Sequence, residues 1–287
     1  MDKRSYIIRK IPKKNGEFRT IAEPKRRLKA LQRAVLKWLM ARGIGASKYA
    51  MAFVKGRSIA DNAKLHAGKK VIVVVDIKDF FGSITKEQVF HALKKEGIDE
   101  TEVSRIVEIC TLDGCLPQGA PTSPLLSNVV FKHVDYRLAG LAKKWENRNP
   151  VTAYSRYADD MIFSSNDALF QRRLLPIVEK FLTEEGFIIN RAKTKVLRNG
   201  NRQMVTGIVV NQKPNVPREE RRCLRAELHN IKKSLIEGRE SKFNLSRLQG
   251  KAAFIKGINP ESGKKFVQEI NEIKNLLTLR EKLCLVN

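Results

Sequence analysis

The sequence predicts an α+β fold, and three patterns carry that expectation. A β-branched run at 71–77 (VIVVVDI) reads as a buried strand. Residues 152–165 (TAYSRYADDMIFSS) read as two strands meeting at Ala158, Asp159 and Asp160. Around them, apolar residues recur at helical spacing, as in 24–42 (PKRRLKALQRAVLKWLMAR). A chain of 287 residues can bury a sizeable core, and its length suggests about two domains.

The first predicted helix, 24–42, places Leu28, Leu31, Val35, Leu36 and Leu39 on one face and lysines and arginines on the other. Strand 71–77 then delivers Asp76 to a sheet edge. Helices are expected at 85–96 and 99–111, the first opened by a capping box between Thr85 and Gln88. A Gly- and Pro-rich turn spans Gly114 to Pro124, and one helix is expected from Pro124 to about Trp145. After the acidic hairpin come a helix at 168–185, strands at 187–197 and 203–211, and a linker at QKPNVP (212–217). The remainder is basic and helical, with Leu224, Leu228, Ile231 and Leu235 at helical spacing. No internal repeat or low-complexity tract is visible.

Lys and Arg number 56 against 30 Asp and Glu, a net charge of +26 that points to a polyanionic partner, nucleic acid first. The charge is unevenly spread. Residues 1–70 hold 20 basic and 4 acidic side chains, residues 71–214 hold 20 and 17, and residues 215–287 hold 16 and 9. Basic flanks suit phosphates, while a near-neutral centre keeps carboxylates for metal ions. Cys110, Cys115, Cys223 and Cys284 show neither a CxxC pair nor zinc-ligand spacing and are expected as reduced, mostly buried thiols. The N-terminus lacks the apolar core of a signal peptide and no apolar run of membrane-spanning length occurs, so a cytoplasmic, membrane-free protein is expected.

Adjacent carboxylates at a hairpin tip repel and raise each other's pKa unless a cation lies between them. An Asp-Asp pair by itself is ordinarily a polar turn. Here a third carboxylate, Asp76, ends a strand and could complete a pair of Mg2+ sites, because Mg2+ takes few protein oxygens and fills its shell with water and phosphate. Two such ions suit in-line phosphoryl transfer.

The pair stands in a wider set of motifs. Tyr157-Ala158-Asp159-Asp160 resembles the YADD signature of bacterial reverse transcriptases. Asp76-Ile77-Lys78-Asp79-Phe80-Phe81 is similar to their first metal motif, and LPQGAPTSPLLSN (116–128) to their template and nucleotide motif. KKNGEFRTIAEP (13–24) and VTGIVVN (205–211) extend the likeness over nearly the whole chain. Asn62-Ala63-Lys64-Leu65-His66 and Val205-Thr206-Gly207 resemble the NAxxH and VTG motifs of retron reverse transcriptases.

That resemblance implies a right-hand polymerase with an antiparallel palm sheet. Residues 1–214 would form fingers (mainly 1–70 and about 82–124) and palm (about 71–81 and 125–214), and residues 215–287 a helical thumb. Asp76, Asp159 and Asp160 would bind two Mg2+ ions, with Mn2+ a possible substitute, and the Ile77 carbonyl would add a ligand. Phe81 would be a steric gate against a 2′-hydroxyl, Phe80 core packing, and Asp79 either a solvated turn acid or a neighbour of the triphosphate. Gln118, Gly119 and Arg19 would contact the nucleotide, with Lys13 or Lys14 assisting. Either Lys193 or Lys195 would stand near the leaving pyrophosphate. Asn62 and His66 are expected as RNA contacts, His66 alternatively as packing, and Arg218, Arg221 and Arg222 as thumb contacts to RNA.

The implied activity is RNA-directed synthesis of single-stranded DNA from dNTPs on a cognate structured noncoding RNA that serves as template and primer, with the RNA–DNA hybrid as a further partner. The implied setting is antiphage defence with a separately encoded effector protein, and no appended nuclease or maturase is expected after the thumb. Another bacterial reverse transcriptase class, or a noncatalytic RNA-binding scaffold, is the alternative reading.

Overall fold

The computed structural model describes residues 5–12, 16–146, 153–237, 239 and 243–284. In chain order its elements begin with β1 (Tyr6–Pro12), β2 (Phe18–Pro24), α1 (Arg26–Ala41), α2 (Ile59–Leu65) and β3 (Val71–Asp76). Next come α3 (Lys86–Lys95), α4 (Glu100–Cys110), α5 (Ser123–Val130), α6 (Lys132–Glu146), β4 (Ala153–Tyr157), β5 (Asp160–Ser165) and α7 (Phe170–Glu184). The chain continues with β6 (Lys195–Arg198), β7 (Met204–Val205), β8 (Ile208–Val209), α8 (Arg218–Ile236), α9 (Leu245–Ile258) and α10 (Pro260–Cys284). Two compact units result, Met1–Ser58 with Lys69–Arg198 and Ile59–Gly68 with Asn199–Asn287.

The first unit is built on a four-stranded antiparallel sheet in the order β4-β5-β3-β6. Strand β3 lies inside it, and Val71, Ile72, Val73 and Val75 are all buried, which explains a continuous apolar run where a one-sided strand would alternate. Helices α3 to α7 contribute Leu93, Val103, Leu126, Leu138, Leu174 and Leu182 to one core. Each such fully buried side chain stabilises by about 1.5–3 kcal/mol. Phe131 sits at its centre, its ring 4.5 Å from Phe187 and 5.1 Å from Phe80. Strands β1 and β2 form a separate ribbon with Ile11 opposite Arg19.

In the second unit, α8, α9 and α10 bury Leu224, Leu228, Ile231, Leu248, Ile255, Phe266 and Ile270. Gly263 lets α10 approach α9 closely, since a Cβ there would lie 2.2 Å from the Lys256 Cα. The β7–β8 hairpin turns on Thr206 (φ 47°) and Gly207 (φ 82°), the doubly positive pattern of a tight type I′ turn. Thr206 Oγ1 donates to the Ile59 carbonyl at 3.3 Å and Gly68 N–H to the Val210 carbonyl at 2.9 Å. The NAxxH helix α2 and the VTG turn are therefore one structural piece.

Several local expectations change. The stripe of α1 is Leu28, Gln32 and Leu39, while Leu31 is exposed; Gln32 occupies a core position because its amide donates to Tyr6 Oη and the Ile109 carbonyl, both at 3.0 Å. The helix expected over 124–145 is two helices, divided at Phe131. The strand expected over 187–197 shrinks to β6 plus a single bridge from Ile189 to Ile77. The strand expected over 203–211 is folded back on itself by the Thr206-Gly207 turn. QKPNVP is no free linker, because Asn215 exchanges two backbone hydrogen bonds with Val209 inside the second unit. Of the cysteines, Cys110 is buried, Cys115 partly so and Cys223 exposed, none in a disulfide; the side chain of Cys284 lies outside the described part. Among the described residues, no helix is long and apolar enough to cross a membrane.

Candidate active site

The register of the sheet brings two of the aspartates together. Asp76 at the end of β3 is paired directly with Asp160 at the start of β5. The β4–β5 turn is two residues long, Ala158 and Asp159, with Ala158 in the left-handed region (φ 56°). Ile77 N–H donates to the Asp159 carbonyl at 3.2 Å, so the peptide following Asp76 is tied to the turn. Ile77 itself is buried.

These carboxyls feel one another. Burial, with repulsion from Asp159 and Asp76, pushes Asp160 up to about 6. Burial and the Asp76 charge raise Asp159 also, while Lys193 and Arg19 act in the opposite direction. Asp76 is 5% exposed, its Oδ2 meets the Lys193 ammonium at 3.3 Å, and its Oδ1 is buried with no hydrogen-bond partner among the described residues. A buried, unsatisfied carboxylate oxygen beside two carboxyls of raised pKa has the donor chemistry a hard divalent cation needs. The side chains are neighbours and not a closed cage: among the described residues no group of three or more His, Cys, Asp or Glu is placed to hold a metal ion.

Two lysines and an arginine act on these carboxyls. Lys193 and Lys195 both favour the ionised form of Asp160, and only Lys193 is within ion-pair distance of Asp76. Lys195 is on β6 opposite Val74. Arg19 is exposed on β2 and close enough to influence Asp159. The Gln118 carbonyl accepts from Ala22 N–H at 2.8 Å. Gly119 has φ 125°, and a Cβ there would lie 2.8 Å from the Ala22 carbonyl oxygen. The close approach that this glycine permits is therefore to β2, three residues from Arg19. Lys13 and Lys14 lie outside the described residues.

Phe81 is partly buried, its ring 5.3 Å from Phe80 and 6.2 Å from Phe53, and Phe80 is core as expected. Asp79 is exposed in a strained turn (φ 48°) over Gly82, where a Cβ would strike its carboxylate at 2.3 Å. Asn62 and His66 are both fully buried in the second unit. They present no surface to RNA, and of the roles expected for His66 packing is the one its burial fits. Arg218 and Arg222 are exposed on α8; Arg221 is half-buried and donates to the Val216 carbonyl at 3.1 Å.

Asp135 and Arg156, which no sequence motif singles out, form a fully buried ion pair next to the turn. One signal was available: Arg156 occupies a predicted strand, where a buried charge needs a partner. Nothing in the sequence told which of the many acids it would be.

The family described as reverse transcriptase (RNA-dependent DNA polymerase) matches residues 11–228. The retron Mx65 reverse transcriptase of Myxococcus xanthus is 37% identical over 283 residues, covering 92% of this chain and 64% of its own. The retron Ec86 reverse transcriptase of Escherichia coli is 32% identical, covering 94% of this chain and 81% of its own. The chain thus spans a little under two thirds of the Myxococcus protein's length. The apo telomerase of Candida tropicalis superposes with a TM-score of 0.55 at 12% identity, covering 93% of this chain and 58% of that one. The right-hand polymerase class expected from the sequence is the class of that neighbour, and its mixture of helices with an antiparallel sheet is borne out.

Proposed function

Because the chain belongs to the reverse transcriptase family, within its retron branch, we propose that it is an RNA-directed DNA polymerase acting on a structured noncoding RNA. The observation that carries the reading is the in-register pairing of Asp76 with Asp160 beneath a turn that presents Asp159, with the buried Asp76 Oδ1 left without a partner. Asp76, Asp159 and Asp160 would hold two divalent ions, Mg2+ or Mn2+, with the Ile77 carbonyl as a further ligand. Such ions stabilise the attacking and leaving oxygens of a phosphoryl transfer.

The chain's own residues would do the rest. Arg19 binds the triphosphate by its planar fork, and Gln118 and Gly119, fastened to β2, set the height of the nucleotide against it. Lys193, already at Asp76, is better placed than Lys195 to meet the leaving pyrophosphate. Phe81 stands five residues beyond Asp76 as the gate against a 2′-hydroxyl, and Asp79 stays a solvated turn acid. Arg218, Arg221 and Arg222 grip phosphates of the RNA–DNA hybrid. The fingers–palm segment 1–214 and the thumb 215–287 are the functional subdivisions of this reading. Its setting would be cytoplasmic antiphage defence, with a separately encoded effector protein.

The test is to sequence nucleic acid that co-purifies with the protein after incubation with dNTPs and Mg2+. A structured RNA joined through a 2′-branch to short DNA is expected. Linear DNA without a branch would remove the retron reading, and no new DNA from any bound RNA would remove the polymerase reading.

A further inference from the structure

Asp135 on α6 and Arg156 on β4 are each fully buried. The Arg156 guanidinium grips the carboxylate with both arms, Nε to Oδ1 and Nη2 to Oδ2, each at 2.8 Å. Two hydroxyls complete the carboxylate's shell: Tyr154 Oη donates to Oδ1 at 2.8 Å and Ser47 Oγ to Oδ2 at 2.6 Å. The Arg156 peptide is fixed as well, its N–H donating to the Tyr49 carbonyl at 2.9 Å and its carbonyl accepting from Met51 N–H at 2.7 Å. Taking two charges out of water is costly, so a buried ion pair is by itself weak evidence of a stabilising role. An arginine held on every side is instead suited to place something accurately.

What it places is the turn. Arg156 Nη1, the arm not used on Asp135, donates to the Ala158 carbonyl at 3.2 Å. Ala158 has the left-handed φ of 56° that reverses the chain, and Asp159 and Asp160 follow it. We infer that Asp135 and Arg156 are a positioning couple that fixes the Ala158–Asp160 turn so that Asp159 and Asp160 meet Asp76 across a divalent ion. This rests on the proposed ligand role of the three aspartates. Neither member touches substrate; each acts through the turn.

Arg156→Lys separates charge compensation from positioning, because an ammonium keeps the charge and cannot fork onto Asp135 while also reaching Ala158. Binding of Mn2+ to the full-length protein, followed by electron paramagnetic resonance of the free ion, is the readout independent of turnover. The variant is expected to bind Mn2+ several-fold more weakly and to lose up to roughly 10²-fold in kcat, the scale of a small misplacement. KM for dNTP and affinity for an RNA–DNA hybrid should stay near wild type. Unchanged Mn2+ affinity would overturn the couple, and so would a loss of hybrid affinity in step with kcat, which would mark general damage. Should Arg156→Lys fail to fold, Tyr154→Phe removes one donor from Asp135 and leaves the ion pair. It should weaken Mn2+ binding in the same direction by less, and an unaltered titration overturns the proposal. Asp160→Asn in the same titration reports on the ligand assignment. If it weakens Mn2+ binding and Arg156→Lys does not, the couple alone falls; if it binds as wild type, the assignment fails and the couple with it.

Discussion

Asp160 titrates near 6 because burial and two neighbouring carboxylates disfavour its charge. Its folded pKa lies above the ordinary carboxylate value, so its contribution to stability is present below about pH 4 and is lost as pH rises through 6. A divalent ion reverses the preference by competing with the proton. Mn2+ at about ten times its dissociation constant should stabilise by about 1.4 kcal/mol at pH 7.5. That corresponds to a rise in melting temperature of roughly 3–6 °C for a chain of this size. The rise should fade by pH 5 and vanish in Asp160→Asn; an equal rise at both pH values would count against shared cation binding. At Phe81, truncation to Ala should raise ribonucleotide incorporation relative to deoxyribonucleotide by at least tenfold, about 1.4 kcal/mol of discrimination. Unchanged selectivity in single-nucleotide assays would remove the gate role. The acidic residues were legible in the sequence because Asp76 closes one strand pattern and Asp159 and Asp160 stand where two others meet. Asp135 and Arg156 were not, because a long-range ion pair leaves no periodicity.

Elements were legible where their causes are local. The Thr85–Gln88 capping box predicted for α3 is present in both directions, and the apolar stripe of α8 buries Leu224, Leu228 and Ile231 as spaced. Expectation failed where a tertiary contact overrides the local pattern, as at Gln32, whose amide N–H groups donate to Tyr6 and Ile109 from distant elements. It failed also at 203–211, where Thr206 takes a left-handed conformation unusual for a β-branched residue. The turn at Gln118-Gly119 has a similar dependence. Gly119→Ala would carry strain of about 1–3 kcal/mol from its backbone conformation, and its Cβ would press on Ala22. It should lower the melting temperature by several degrees and weaken dNTP binding, because β2 and the turn must part. Wild-type stability and KM would show that the β2 contact sets nothing at the site.

For the whole molecule, the charge surplus of +26 makes a general statement about binding. Affinity for an RNA–DNA hybrid should fall linearly in log–log terms with salt, with a slope of about −0.9 for each phosphate neutralised. Reversing Arg218 and Arg222 to Glu should flatten that slope by about two, and an unaltered slope would take the hybrid away from α8. What the chain does follows from the meeting of β3 with the β4–β5 turn. Primer extension on an RNA template with dNTPs and Mg2+, comparing wild type with Asp76→Asn at matched folding by circular dichroism, tests this most directly. The account predicts DNA synthesis by the wild type and a loss of about 10²–10³-fold in the variant, the scale seen when a transition-state charge stabiliser is removed. Equal synthesis by the two proteins would contradict it.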